Sequence, residues 1–172
     1  MATQSGSAIL EDHVETWNET EKHSGPVTTA SAGTNNTRPP SCVAIAVASD
    51  EDRSRLVELL GSLHVDVIAH KNLKTLRGSL VRDDVDLVIT DVTLPDGNWV
   101  DVLRLTLDAS SSPGILVHSR VVNDRLWSEV LWRGAYDMLI APYSSRDGRE
   151  IIKSALRAGC ILSDHRPGGL RQ

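Results

Sequence analysis

The sequence predicts an α/β domain built on a doubly wound, five-stranded parallel sheet. Three observations carry that prediction. Between Cys42 and residue 160, short apolar runs alternate with segments whose apolar residues recur at helical spacing. The runs give way to Ser, Asp, His or Pro, which belong to turns and caps rather than to strand interiors. Strands in regular alternation with helices imply right-handed βαβ crossovers, hence a parallel sheet covered on both faces.

The first apolar run, β1, covers Val43–Ala48 and ends at Ser49-Asp50-Glu51-Asp52. Ser49 can cap the helix that follows, and the acids suit its positive end. Leu56, Leu59, Leu60 and Leu63 give this helix, α1, one apolar face. β2 follows over Val65–Ala69. Leu73, Leu76 and Leu80 then space α2, which Asp83-Asp84 closes. β3 runs from Val85 to Thr90 and stops at Asp91, just before the turn Pro95-Asp96-Gly97. Val100, Val102, Leu103 and Leu107 mark α3, terminated by Ser110-Ser111-Ser112-Pro113. β4 covers Ile115–Val117 and leads into His118-Ser119. Leu126, Val130 and Leu131 fit α4, with Gly134 as its stop. β5 covers Met138–Ile140 and is followed by Ala141-Pro142-Tyr143. Ser144 or Ser145 caps α5, whose core residues are Ile151, Ile152, Ala155 and Leu156 and whose expected end is Gly159.

Outside this alternation lie two tails. Ser, Thr, Asn, Gly and Pro dominate residues 24–41, so 1–41 reads as a disordered polar tail unable to offset its ordering entropy. Within it Ile9, Leu10, Val14 and Trp17 carry a weak helical spacing. Residues 161–172 read as a short polar tail, which leaves 42–160 as the folded domain. There is no Phe, so the core rests on Leu, Val, Ile and Ala. A net charge of -5 gives no electrostatic reason to expect nucleic acid or an anionic membrane. Cys42 and Cys160 are far apart and suggest neither a disulfide framework nor a zinc site. With no signal peptide and no apolar run of about 18 residues, the expected location is the cytoplasm.

In an open α/β sheet, chemistry is expected at the carboxyl ends of the strands. That edge would gather Ser49-Asp50-Glu51, Asp91, His118-Ser119 and Ala141-Pro142. Two carboxylates brought together can hold a hard cation such as Mg²⁺, which screens an incoming phosphoryl group. A carboxylate so placed is a competent nucleophile toward phosphorus. Neither a phosphate-binding glycine loop nor a dinucleotide fingerprint is present.

The ordered pieces Ala48-Ser49-Asp50-Glu51-Asp52-Arg53, Asp86-Leu87-Val88-Ile89-Thr90-Asp91, Leu94-Pro95-Asp96-Gly97, Pro113-Gly114-Ile115-Leu116-Val117-His118-Ser119 and Gly134 to Tyr143 carry a family likeness. Together they resemble the receiver domains of bacterial two-component response regulators, over roughly Cys42 to Gly159. The resemblance implies a flavodoxin-like (βα)5 receiver fold that is not an enzyme. It implies Asp91 as phosphoacceptor, and Mg²⁺ held by Asp50, Asp91 and the Thr93 carbonyl. It also implies a switch hydroxyl at the end of β4. Counting back from Gly134-Ala135 places that hydroxyl at Ser119, whereas counting from Pro113 points to His118; Ser119 is chosen because it carries the hydroxyl.

The sequence also departs from that family. Ser49 stands where the first of two adjacent acids is usual, unless the pair is Asp50-Glu51. Ala141 replaces the lysine before Pro142, an ammonium that ordinarily pairs with the phosphoacceptor. Met138 replaces an aromatic switch residue, and Trp99 the second glycine of the loop after β3.

Three functions follow as expectations. The first is a phosphorelay receiver, charged by a histidine kinase or phosphotransfer protein and signalling through its α4–β5–α5 face. The second is a degenerate receiver acting as a phosphorylation-independent interaction module. The third is a small-ligand binder of the same fold. If the chain is complete, residues after 160 leave no room for an output domain, and signalling is then expected to pass through protein contacts, a homodimer among them. Trp127 and Trp132 cannot share one face of α4 with Val130, so one of them is expected on the surface.

Overall fold

The computed structural model describes residues 40–163, with side chains described through Gly159. The expected polar tails fall on residues 1–39 and 164–172, outside the described residues, apart from the stretches that adjoin the domain. Five parallel strands form one sheet: β1 (Cys42–Ala46), β2 (Asp66–His70), β3 (Leu87–Asp91), β4 (Gly114–Ser119) and β5 (Asp137–Ile140). Their spatial order is β2-β1-β3-β4-β5, the doubly wound arrangement that the sequence predicts. The helices are α1 (Asp50–Gly61), α2 (Leu73–Arg82), α3 (Trp99–Asp108), α4 (Asp124–Trp132) and α5 (Ser145–Ser163).

Side-chain alternation along the strands builds two cores, one on each face of the sheet. Val43, Ile45, Leu87, Ile89, Leu116 and Leu139 pack against Leu56, Leu60, Ile152 and Ala155 of α1 and α5. Ala44, Ala46, Val88, Ile115, Val117 and Met138 pack against Leu76, Leu80, Trp99, Val102 and Val130 of α2, α3 and α4. Strands buried on both sides explain why the sequence shows continuous apolar runs instead of alternation.

Most helix boundaries come from caps that the sequence displays. The Ser49 side chain accepts from the Asp52 amide, as expected. Gly134 ends α4 at φ 99, a left-handed value at which a side chain would be strained. Ser144 caps α5, its Oγ accepting from the Asp147 N–H at 3.0 Å. The expected stop at Gly159 is corrected: α5 continues through it to Ser163. A Cβ at Gly159 would meet the Asp86 carbonyl at an ordinary contact distance of 3.5 Å, and the helix passes through this position without a break.

Candidate functional site

Asp91 is the last residue of β3 and opens onto the carboxyl edge of the sheet, its side chain 19% exposed. Both of its oxygens are engaged. Oδ2 accepts the Ala48 backbone N–H at 2.9 Å, and Oδ1 lies 2.8 Å from Nδ1 of His118. A carboxylate only accepts, so Nδ1–H of His118 is the donor. The imidazole is 2% exposed, and its Nε2 is buried without a partner among the described residues. Its ring meets that of Tyr143 edge-on, 6.3 Å between centroids at 86°. Burial, aided by the charge of Asp52, pushes the Tyr143 phenol above its ordinary range.

Strand register explains why His118 is the partner of Asp91. In the β3–β4 ladder Asp91 lies directly opposite His118. Asp91 continues the face of Leu87 and Ile89, and His118 that of Leu116, so both point toward α1 and α5. Ser119 continues the opposite face of Ile115 and Val117. Its Oγ donates to the Val121 carbonyl at 3.0 Å and accepts the Val121 N–H at 3.1 Å. The expectation that Ser119 presents a hydroxyl to Asp91 is therefore corrected. His118, the position reached by counting from Pro113, is the one that faces Asp91, since one residue of slip exchanges the two faces.

Asp50 has cationic partners of its own. It opens α1 with its carboxylate 74% exposed, paired with Arg53 and, at 2.9 Å, with Lys71. The deeper acid of this loop is Asp52, which sequence reasoning passed over. It is 7% exposed and receives both arms of Arg120, from Nε and Nη2 at 2.7 Å each. This hydrogen bond holds the Asp52 carboxyl below its usual range. Glu51 is paired with Arg55 at 2.7 Å. A signal for Asp52 did exist, since its position in the first turn after the Ser49 cap turns it inward from that cap. Its partner Arg120 is 68 residues away and leaves no local pattern.

Thr93 is exposed and pairs with Asn98 in a two-residue antiparallel ladder that also joins Leu94 to Gly97. Asp96 at the tip of this hairpin accepts the amides of Leu73 and Lys74, at 2.7 and 3.0 Å, and so caps α2 from another loop. Those bonds hold its carboxyl below the usual range. Ala141, bound through a cis peptide to Pro142, brings no cation; its N–H donates to the Ser119 carbonyl at 2.8 Å.

A magnesium ion would need Asp50, Asp91 and the Thr93 carbonyl on one centre. Asp50 is instead turned to Lys71 and Arg53, and the oxygens of Asp91 are taken by His118 and an amide. Among the described residues, no three His, Cys, Asp or Glu side chains gather as metal ligands. The residues present do not fit the ion.

On α4, Val130 is fully buried while Trp127 is 44% and Trp132 84% exposed, so both indoles reach the surface where one was expected. Among the described residues, no helix is long and apolar enough to cross a membrane.

The sheet order, the Asp91 strand end and the hairpin behind it define a domain of the flavodoxin-like α/β class. No family model matches the chain. It is 29% identical over 115 residues to the response regulator protein PilR of Pseudomonas aeruginosa, covering 66% of this chain and 26% of that protein. It is 33% identical over 114 residues to the DNA-binding transcriptional regulator NtrC of Rhizobium meliloti, covering 65% of this chain and 24% of that one. The chain thus spans about a quarter of the length of these curated relatives. Among solved structures, the signal receiver domain of a Luxo repressor protein from Vibrio parahaemolyticus superposes with a TM-score of 0.68 at 16% identity, over 75% of this chain and 99% of that one. Over this domain the chain is similar in sequence to these response regulators and shares the fold of solved receiver domains.

Proposed function

We propose that this receiver domain signals through protein contacts without phosphorylation of Asp91. One observation carries the reading: each carboxylate assigned by resemblance to phosphoryl transfer already has a protein partner. His118 and the Ala48 amide hold Asp91, while Lys71 and Arg53 hold Asp50. A phosphoryl group entering at Oδ1 would have to displace a buried imidazole whose other nitrogen has no alternative partner. It would then find a methyl group at Ala141 where an ammonium is needed.

On this reading the domain keeps the receiver fold as an interaction scaffold in the cytoplasm. Its α4–β5–α5 face, which carries Trp127 and Trp132, meets a downstream protein or a second copy. A histidine kinase or phosphotransfer protein remains a candidate partner through contact alone. Nucleic acid and membrane surfaces do not fit the chain's net charge of -5. The competing reading, phosphotransfer onto Asp91, is favoured by the position of that residue at a strand end with part of its side chain open.

Incubation with acetyl phosphate and Mg²⁺, read by intact mass, separates the two. The expected result is an unmodified chain and no Mg²⁺ uptake in calorimetry. One added phosphate, lost in Asp91→Ala, would overturn the proposal.

A further inference from the structure

The edge of the sheet that does not fit a magnesium ion holds a cation of its own, Arg53 of α1. Its side chain is 12% exposed, a degree of burial that a charged group reaches only when partners hold it. Three oxygens converge on the guanidinium. Nη1 donates to the Val47 carbonyl at 2.7 Å and, more weakly, to the Ala48 carbonyl at 3.4 Å, while Nη2 pairs with the Asp50 carboxylate. Two backbone carbonyls and a carboxylate are the kind of oxygen set that a hard cation takes. Here a planar group that only donates takes them instead.

Charge and geometry both support that substitution. Lys71 lies 2.9 Å from Asp50, so Arg53 and Lys71 together bring to this turn the two positive charges of a divalent ion. The Asp50 end is largely in solvent, where an ion pair is worth little, so Arg53 is held mainly by the carbonyl at 2.7 Å. That carbonyl belongs to the peptide joining Val47 to Ala48. The N–H of the same peptide donates to Asp91 Oδ2 at 2.9 Å. A peptide is planar, so fixing its carbonyl on Arg53 fixes the direction of its N–H toward Asp91. A cation on the carbonyl also polarises the N–H and strengthens its bond to the carboxylate.

We propose that Arg53 is the resident cation of this edge, taking with its guanidinium the oxygens that a divalent ion would need and so setting the Ala48 amide against Asp91. Arg53 is a positioning residue: it acts on Asp91 through one peptide plane and not by direct contact. His118 then holds the other oxygen of the same carboxylate, and the two partners together keep Asp91 in place with no metal ion. The proposal rests on the reading of Asp91 as unphosphorylated, and the two fail separately. Phosphate uptake by the wild type overturns that reading, whereas Mg²⁺ binding without phosphate uptake leaves it standing and overturns this one.

The test uses the full 172-residue chain and reads hydrogen exchange at the Ala48 amide, thermal shift with Mg²⁺ and paramagnetic broadening by Mn²⁺. In the wild type, millimolar Mg²⁺ should leave the melting temperature unchanged, and Mn²⁺ should spare the amides of residues 48–52. Arg53→Met keeps an apolar stem and removes the charge. Its Ala48 amide should exchange about tenfold faster, as expected for losing the support of one charge-assisted hydrogen bond. The same variant should acquire both the Mg²⁺ shift and the Mn²⁺ broadening, and adding Asp50→Asn should abolish them. Because Arg53→Met can loosen the whole domain, Arg53→Lys provides a milder arm that keeps the charge without the fork. It should stay silent to Mg²⁺ and speed Ala48 exchange less. A Mg²⁺ response in the wild type or in Arg53→Lys would overturn the proposal. So would an Arg53→Met chain that protects Ala48 as before or ignores both ions.

Discussion

The loop after β3 and the loop after β4 border the same site and are held in opposite ways. Residues 91–98 are fixed mainly by backbone groups. The ladder Thr93–Asn98 and Leu94–Gly97 folds the segment on itself, the Trp99 N–H donates to the Val92 carbonyl at 3.2 Å, and Asp96 caps a neighbouring helix. A Cβ at Gly97 would come within 2.9 Å of the end of the Leu73 side chain, which would have to move aside. Residues 119–123 have the Ser119–Val121 turn, the Ala141 N–H on the Ser119 carbonyl and the Arg120 side chain on Asp52, while Val121 and Val122 stand 65% and 73% exposed. The first loop has the family-like sequence Leu94-Pro95-Asp96-Gly97, and the second follows directly on the strand that carries His118.

The largest test of that contrast is Trp99→Ala. The indole is 4% exposed and ties the end of the first loop to the core, so the truncation should cost about 3–5 kcal/mol in urea unfolding. A loss below about 1 kcal/mol would show that the hairpin holds itself without the core.

Asp52→Ala should remove the anchor of the second loop and cost about 1 kcal/mol, since the Arg120 half of the pair is largely in solvent. The pH dependence has a definite sign. The folded-state carboxyl lies below its ordinary value near pH 4, so its stabilisation is complete above that value and disappears as pH falls through the lower folded one. Wild type and variant should therefore converge in stability as pH is lowered from about 5 toward 2. Parallel curves over that range would refute the anchor.

Asp96→Ala should leave the fold intact but unprotect the amides of Leu73 and Lys74, measured by hydrogen exchange at each residue. Unchanged protection there would mean that Asn72, which accepts from Thr75 N–H at 2.9 Å, caps α2 sufficiently alone. Val122→Ser, at an exposed position of the second loop, should shift stability by less than about 0.5 kcal/mol. A larger loss would show that this loop is packed more firmly than its exposure implies.

Much of the site was legible in the sequence because it rests on local signals. Ser49 announced its cap, Gly134 its left-handed stop, and the apolar run before Asp91 its strand end. The hairpin after β3 escaped notice since two-residue strands have no periodicity to read. Asn98 and Asp101 nevertheless form a capping box whose residue types and spacing were visible. Arg120 and Asp52 escaped for a different reason, as no rule of spacing links residues brought together by crossovers.

By itself, then, the sequence determined the five-stranded parallel sheet, its two apolar faces and the place of Asp91 at a strand end, because short-range periodicity and caps encode these. Only the tertiary structure decided which group faces that carboxylate. Two counts along the chain differed by one residue between His118 and Ser119, and one residue in a strand is a change of face. The parallel register of β3 with β4 resolves it, setting Asp91 opposite a buried imidazole and turning the Ser119 hydroxyl back to its own loop. Register is a property of two strands joined by a crossover, and neither strand carries it alone.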